Sequence, residues 1–472
     1  MRDPRQISVI TEILCLYIPS IPQAINKPSL SSVFQNSYFE PLMNRYTALL
    51  FFAILLLGFS LDSKAQTRPL RVFLNNDSSS YAGVRINGQL WMRYNYNNPG
   101  TLINGEEASR FFDISVRRLR FQTYARLNDR TNVTLTLGQN NINYLTARSG
   151  EIRLLDFYID HRLHKYLTVG GGQSGWNGVS RFASPHTGRM LTLDVPAVVM
   201  PTINQTDNIL RKLSAYVNGQ WEKWDYRLVF SRPYAPVANT KIGPVSSFSY
   251  VKSGVQTAAY IKHQFFEHET LISPFHVGTY DGSRKVLALG AGFETQQRAM
   301  WHLNSAADTV LTPMNMFAVD LFGDIPLINK QAVTFYAGYF YYDFGPNYIR
   351  VIGLNNVGAG TSGRGTFSET GNAWPAIGTG HIGYFQLGYL FGNSSGKEKW
   401  QPFISGQYAN YDRLNHAVTF FEGGINLLLD GQRSKLSLAI QNRPIFDETA
   451  PEVFRQITRK NTFILQYQIR LE

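Results

Sequence analysis

The stretch ISVRRLRFQTYARL, residues 114–127, decides the fold. Split by parity, Ser115, Arg117, Leu119, Phe121, Thr123, Ala125 and Leu127 fall on one side, and Ile114, Val116, Arg118, Arg120, Gln122, Tyr124 and Arg126 on the other. A β-strand sends successive side chains to opposite faces. From Arg118 onward one face is apolar apart from Thr123, and the other carries three arginines, a glutamine and a tyrosine. Two architectures give such a strand. A soluble sandwich turns the polar face to bulk water, and a membrane barrel turns it to an aqueous lumen.

Composition favours the second. Of 472 residues, 17% are charged, below the roughly 25% of an ordinary soluble protein. Aromatics reach 14%, led by 31 Phe and 26 Tyr, which suits a chain that needs interfacial belts. The only cysteine is Cys15, so disulfide and thiol chemistry are excluded from the rest of the chain.

Residues 43–65 read as a secretory signal: Asn44, Arg45 and Tyr46 form a short basic start, 47–59 is an apolar run, and Ser63-Lys64-Ala65 offers small residues for cleavage before Gln66. Because Met43 stands directly before it, residues 1–42 are read as an upstream start artefact. A short lead, 66–83, precedes a barrel domain over 84–472. The formal charge is +12, and 1–65 holds five basic and four acidic residues, so +11 remains after the cut. A basic exported chain meets anionic solutes, outer-membrane lipid and lipopolysaccharide rather than nucleic acid.

Alternation recurs through the chain. Leu90, Met92, Tyr94 and Tyr96 oppose Gln89, Trp91, Arg93 and Asn95, and at the far end Phe463, Leu465, Tyr467, Ile469 and Leu471 oppose Gln466, Gln468 and Arg470. Strand-like runs at 268–280, 284–296, 313–322 and 331–343 bring the count to 16 or 17. Tight connections (Asn128 to Arg130, Glu222-Lys223, Gln432-Arg433) alternate with long ones at 232–253, 297–312 and 344–380. The fold class is therefore all-β: a transmembrane antiparallel β-barrel of about 16 strands, with short periplasmic turns and long extracellular loops. No blade-type repeat is present to favour a propeller.

Two groups of residues bear on function. Arg118, Arg120 and Arg126 share a face, and fixed cations lining a pore favour anions. The alternative is that they brace the wall by pairing with lumen acids such as Asp156, Asp225 or Glu422. The long loop 173–209 contains Trp176, Arg181, His186, Arg189 and Asp194. A barrel this wide selects solutes only if a loop folds inward, which points to Arg181 and Arg189 at a constriction and Trp176 as its anchor. An outward loop with solvated arginines fits the same sequence. Enzyme signals are weak: His161/His164 and His263/His268 flank turns, no G-x-S-x-G occurs, and Gly170-Gly171-Gly172 lacks the helix of a phosphate loop. The chain is thus expected not to be an enzyme and to carry no cofactor, metal or catalytic residue.

The strand FFDISVRRLRF (111–121), the segment GGGQSGWNGVSR (170–181) and the opening VRINGQL (84–90) resemble the phosphate-selective porin O and P family of outer-membrane porins. The resemblance implies a 16-stranded, homotrimeric channel of the bacterial outer membrane that prefers small anionic solutes, phosphate among them. It implies Arg117, Arg118 and Arg120 as the strand cluster, and Gln173 and Arg181 as the loop segment. The expected function is passive diffusion. The alternatives are a closed structural or adhesin barrel, and a barrel enzyme acting on lipids.

Overall fold

A computed structural model describes residues 71–73, 80–145, 150–236, 242–251, 253–271, 273–358, 360–392 and 398–471. The start artefact and the signal sequence expected at 1–42 and 43–65 lie outside these residues.

Sixteen long strands close into one antiparallel barrel. In chain order they are β1 (Tyr81–Tyr96), β2 (Arg110–Arg126), β3 (Thr131–Ile142), β4 (Arg153–His164), β5 (Leu167–Ser174), β6 (Lys212–Trp221), β7 (Trp224–Arg232), β8 (Gln256–Gln264), β9 (Val286–Leu303), β10 (Thr309–Pro326), β11 (Ala332–Asp343), β12 (Gly380–Leu390), β13 (Lys399–Tyr411), β14 (Val418–Asp430), β15 (Ser434–Ala450) and β16 (Val453–Leu471). Each pairs with its sequence neighbours, and β1 pairs with β16 from Ile86↔Leu471 to Asn95↔Thr462 to close the ring. Closure leaves no strand edge in hydrocarbon, where an unpaired N–H or C=O has no water to bond. Short strands at Arg71–Phe73 and Ser247–Phe248 pair with β1 and β9.

The two faces of β2 show why the sequence folds this way. Phe112, Ile114, Leu119 and Phe121 are exposed outward, whereas Asp113, Ser115, Arg118 and Arg120 are buried inside. A bulge interrupts the strict alternation. Gln89 pairs with Arg118 and Leu90 with Val116, so Arg117 is the extra residue and turns inward beside Arg118. The turn after β2 is set by Asn128, whose side-chain oxygen accepts from the amides of Arg130 and Thr131 at 2.9 Å each.

Three expectations from the sequence are corrected. Residues 268–280 form no strand of the wall: the connection 265–285, on the side of the short turns, folds into the lumen. Residues 297–312 are not a long loop, because β9 and β10 run on to Leu303 and from Thr309 and leave a tight turn. Nor does every second side chain face water inside. On the β9–β14 flank the lumen is a packed core, in which Met316, Phe322, Tyr336, Phe340 and Tyr342 meet Val179, Phe182, Met190, Val195 and Val198 of the loop after β5. That loop, 175–211, lies flush on the wall. A Cβ at Gly292 of β9 would sit 2.8 Å from the carbonyl oxygen of Val179, so only glycine permits the approach.

Candidate functional site

Open volume lies on the side of the lumen walled by β1–β4, away from the packed flank. Two chambers lie there, of about 290 and 310 Å³. The first is lined by Arg117, Arg118, Asn140, Arg153, Arg350 and Asn355, and the second by Arg85, Gln122, Asp156, Arg189, Phe275 and Arg470. Arg120, Arg211, Pro185 and Thr187 border both, so the chambers meet at these four residues. Nine arginines line them in all, against a single carboxylate among the described residues, Asp156.

The arginines are held differently. Arg117 donates through Nε to Asp194 at 2.7 Å and through Nη1 to Asn141 at 2.7 Å, with its guanidinium 5.2 Å from the Trp91 ring. Arg118 donates to the other oxygen of Asp194 and to Gln89 at 2.9 Å. One loop carboxylate thus neutralises part of a two-arginine cluster. Burial pushes the Asp194 carboxyl up, but Arg117 and Arg118 more than offset it and hold it below the usual carboxylate range. Arg120 has only uncharged partners: the carbonyls of Leu119 (2.9 Å) and Gln139 (3.0 Å), and Asn140 (2.5 Å). Arg211 pairs with Asp156 at 3.1 Å. Arg120 therefore stands at the junction as a fixed cation whose charge is not cancelled by its hydrogen-bond partners.

The expected site residues separate. Arg117, Arg118, Arg120 and Arg189 line the chambers. Trp176 is buried among Tyr158, Tyr216, Val229 and Ala258, under the loop rather than in the passage. Three placements are corrected. Arg126 sits at the periplasmic rim, paired with Asp129 at 2.7 Å and one-third exposed. Gln173 is on β5 opposite Leu213, on the outward face, bonding the carbonyls of Leu154 and Leu155. Arg181 is buried against the 265–285 connection, not at an opening. It forms a two-pronged pair with Glu269, 2.6 Å on each prong, and its guanidinium lies 3.6 Å from the Phe322 ring centre. The acids named as wall-bracing partners are engaged elsewhere: Asp225 with Lys262, and Glu422 with Gln441 and the Leu193 amide. Arg85 and Arg470 were within reach of sequence reading, because they share parity with Gln89 and Gln468. Arg153, Arg211 and Arg350 were not, since they lie at or beyond strand ends where parity lapses.

The 265–285 connection is locked to the loop. His276 and Pro185 form a parallel bridge, with His186 N–H donating to the His276 carbonyl and His276 N–H to the Ser184 carbonyl, 2.8 Å each. Glu269 accepts from Arg181, from Lys262 at 2.6 Å and from the Tyr280 hydroxyl at 2.6 Å. Burial pushes Glu269 up, and Arg181 with Lys262 outweighs it, leaving it well below its ordinary range. His276 is held well below the usual histidine value by burial and by Lys262, Arg227 and Arg181, and His186 by burial, Arg470 and Arg189. The folded chain keeps both rings neutral, whereas the unfolded chain protonates them below about pH 6.5. Their contribution is therefore intact above that pH and is lost as pH falls, at about 1.4 kcal/mol per pH unit for each ring. Unfolding compared at pH 7.5 and 5 should show a smaller acid loss in a His186→Gln, His276→Gln double variant than in the parent. Equal losses would exclude these rings as the cause.

No protein-family model matches the sequence, and no curated protein matches it. Solved structures do. OmpF of Salmonella typhi superimposes with a TM-score of 0.51 at 8% identity, covering 85% of this chain and 100% of its own. OprB of Pseudomonas putida gives 0.50 at 9% identity, over 83% and 94%. At such identities the likeness is one of fold. The chain is an outer-membrane β-barrel of the bacterial type, and its outward apolar band places it in that membrane. The expectation that it is not an enzyme is corrected here. The likeness to OmpF and OprB, at 8% and 9% identity, shows the fold and no activity. A barrel is not tied to one activity, so the exclusion does not stand.

Proposed function

We propose that the barrel is a passive diffusion porin for small anionic solutes, entering and leaving through the two arginine-lined chambers beside β1–β4. The observation that carries this reading is the excess of arginine along that path: nine line the chambers, against Asp156 in the lining and Asp194 bound to Arg117 and Arg118. Cations fixed in a confined lumen concentrate anions and repel cations, and the inward loop sets the size limit. The strand cluster at Arg117, Arg118 and Arg120 supports kinship with the phosphate-selective porin O and P family, and this reading takes with it a homotrimeric assembly among outer-membrane lipopolysaccharide and export on the 43–65 signal.

The test is the reversal potential across a planar bilayer in a salt gradient. The parent should be anion-selective. Arg120→Glu reverses the charge at the junction without touching Asp194, and should lower the anion-to-cation permeability ratio by about tenfold or more, the weight of ~1.4 kcal/mol. Unchanged selectivity with intact conductance would end the anion reading. The packed β9–β14 flank favours a second reading, a barrel without a continuous pore that serves a structural or adhesive role. It requires that no discrete conductance steps appear.

A further inference from the structure

The outer face of the barrel carries a groove of about 630 Å³ that the chambers inside do not use. Tyr339, Gly383, Tyr408 and Thr419 are successive cross-strand neighbours over β11–β14, with Phe385 and Phe421 one pair lower on the same face. Gly383 forms the floor. A Cβ placed there would find its nearest neighbour, the Tyr408 carbonyl oxygen, 4.0 Å away, so the hollow is open and not merely hidden by flanking rings. The groove begins at Leu289, near the periplasmic start of β9, and ends at Thr419, near the extracellular start of β14. Five strand spacings of ~4.8 Å give it a length of about 24 Å, running obliquely through the bilayer.

Its extracellular end is not apolar. Arg459 of β16 reaches across the outer face, donating to the carbonyl of Thr419 at 2.8 Å and to its hydroxyl at 2.9 Å, with its guanidinium 5.6 Å from the Phe421 ring centre. Its other hydrogen bonds go to Asn442 and Gln456. Every acceptor is uncharged. A cation is thus held at the mouth of an apolar trough by partners that leave its charge uncancelled, and His381 and Asn410 lie one pair above Gly383 and Tyr408 on the same face.

We propose that this groove binds one acyl chain of a phosphate-bearing outer-leaflet glycolipid, with the phosphate at Arg459. The trough supplies contact along a hydrocarbon chain, its outward walls being aliphatic and aromatic apart from Thr419 and the hydroxyls of Tyr339 and Tyr408, and the guanidinium supplies a charge-assisted bond to an anion at headgroup depth. The site is independent of what passes through the lumen.

Native mass spectrometry of the full chain in mild detergent tests it, with bisphosphorylated lipid A and its dephosphorylated form as probes. The parent should retain a single lipid per chain and hold the phosphorylated probe about tenfold better. Gly383→Leu fills the floor and should lower retention of both probes by about tenfold. Arg459→Gln should abolish the preference for phosphate while still retaining the dephosphorylated probe, and it serves alone if Gly383→Leu does not fold. Retention unaffected by the variants would overturn the proposal. So would a Gly383→Leu chain that changes its oligomer distribution but keeps its lipid, because the groove would then be covered by a second copy.

Discussion

Glu269→Ala is expected to release the 265–285 connection from the lumen and to lower the stability of the barrel by about 3–5 kcal/mol. The carboxylate accepts from Arg181, Lys262 and Tyr280 at 2.6 Å each, and its own amide donates to Gln264 at 2.7 Å. Truncation leaves Arg181 without its carboxylate in a site about 1% exposed, although Lys262 keeps Asp225 at 3.0 Å. An uncompensated buried guanidinium costs far more than the lost attraction. The connection would then separate from the bridge at Pro185 and His276 and widen the second chamber, which Phe275 lines. Urea unfolding in detergent reads the first effect and single-channel conductance the second. An unfolding midpoint equal to the parent's would show that the hub does not hold the connection.

Asp194→Asn is expected to loosen the loop and to sharpen anion selectivity together. The carboxylate neutralises Arg117 and Arg118, and it also accepts from the Val195 amide at 2.6 Å, which asparagine can still satisfy. What is lost is charge: two buried guanidiniums would share a neutral amide. The loss should be on the order of 3 kcal/mol, seen as a lower unfolding midpoint and larger current fluctuations, with a higher anion-to-cation ratio. A ratio that falls instead would mean that Asp194 does not screen the path. Since Asp194 is held below the ordinary carboxylate range, its contribution is complete above about pH 3.9 and disappears only as pH falls through its lowered folded value. Mild acid should therefore not imitate the variant, whereas it should act on the two histidines.

The barrel was legible because its wall is periodic. Leu119 and Phe121 against Arg118 and Arg120 give the period, and the same period recurs at Phe463 and Gln466. Arg117 was not legible by parity, because a bulge has no residue signature: Val116, Arg117 and Arg118 are consecutive, yet two of them turn inward. The 265–285 connection was misread for a physical reason. His276 lies in extended backbone bridged to the loop, so its neighbourhood carries strand-like patterning without belonging to the wall. The packed flank was hidden because Met316, Phe322 and Phe340 are apolar on the inward face as well, and alternation cannot separate a dry lumen from a lipid boundary. Arg181 and Asp194 were visible as loop charges, but which of them pairs with which depends on contacts across 88 and 77 positions of sequence.

The seam between β1 and β16 joins residues separated by nearly the full described chain, as at Ile86 and Leu471. The ring therefore cannot be completed by a nascent chain growing from its amino end. Until the final strand arrives, β1 presents bare backbone amides and carbonyls, so an unfinished molecule needs a chaperone or a foreign strand at that edge. A peptide copying β16 should consequently arrest biogenesis when supplied in excess during assembly, and have no effect on molecules that are already complete.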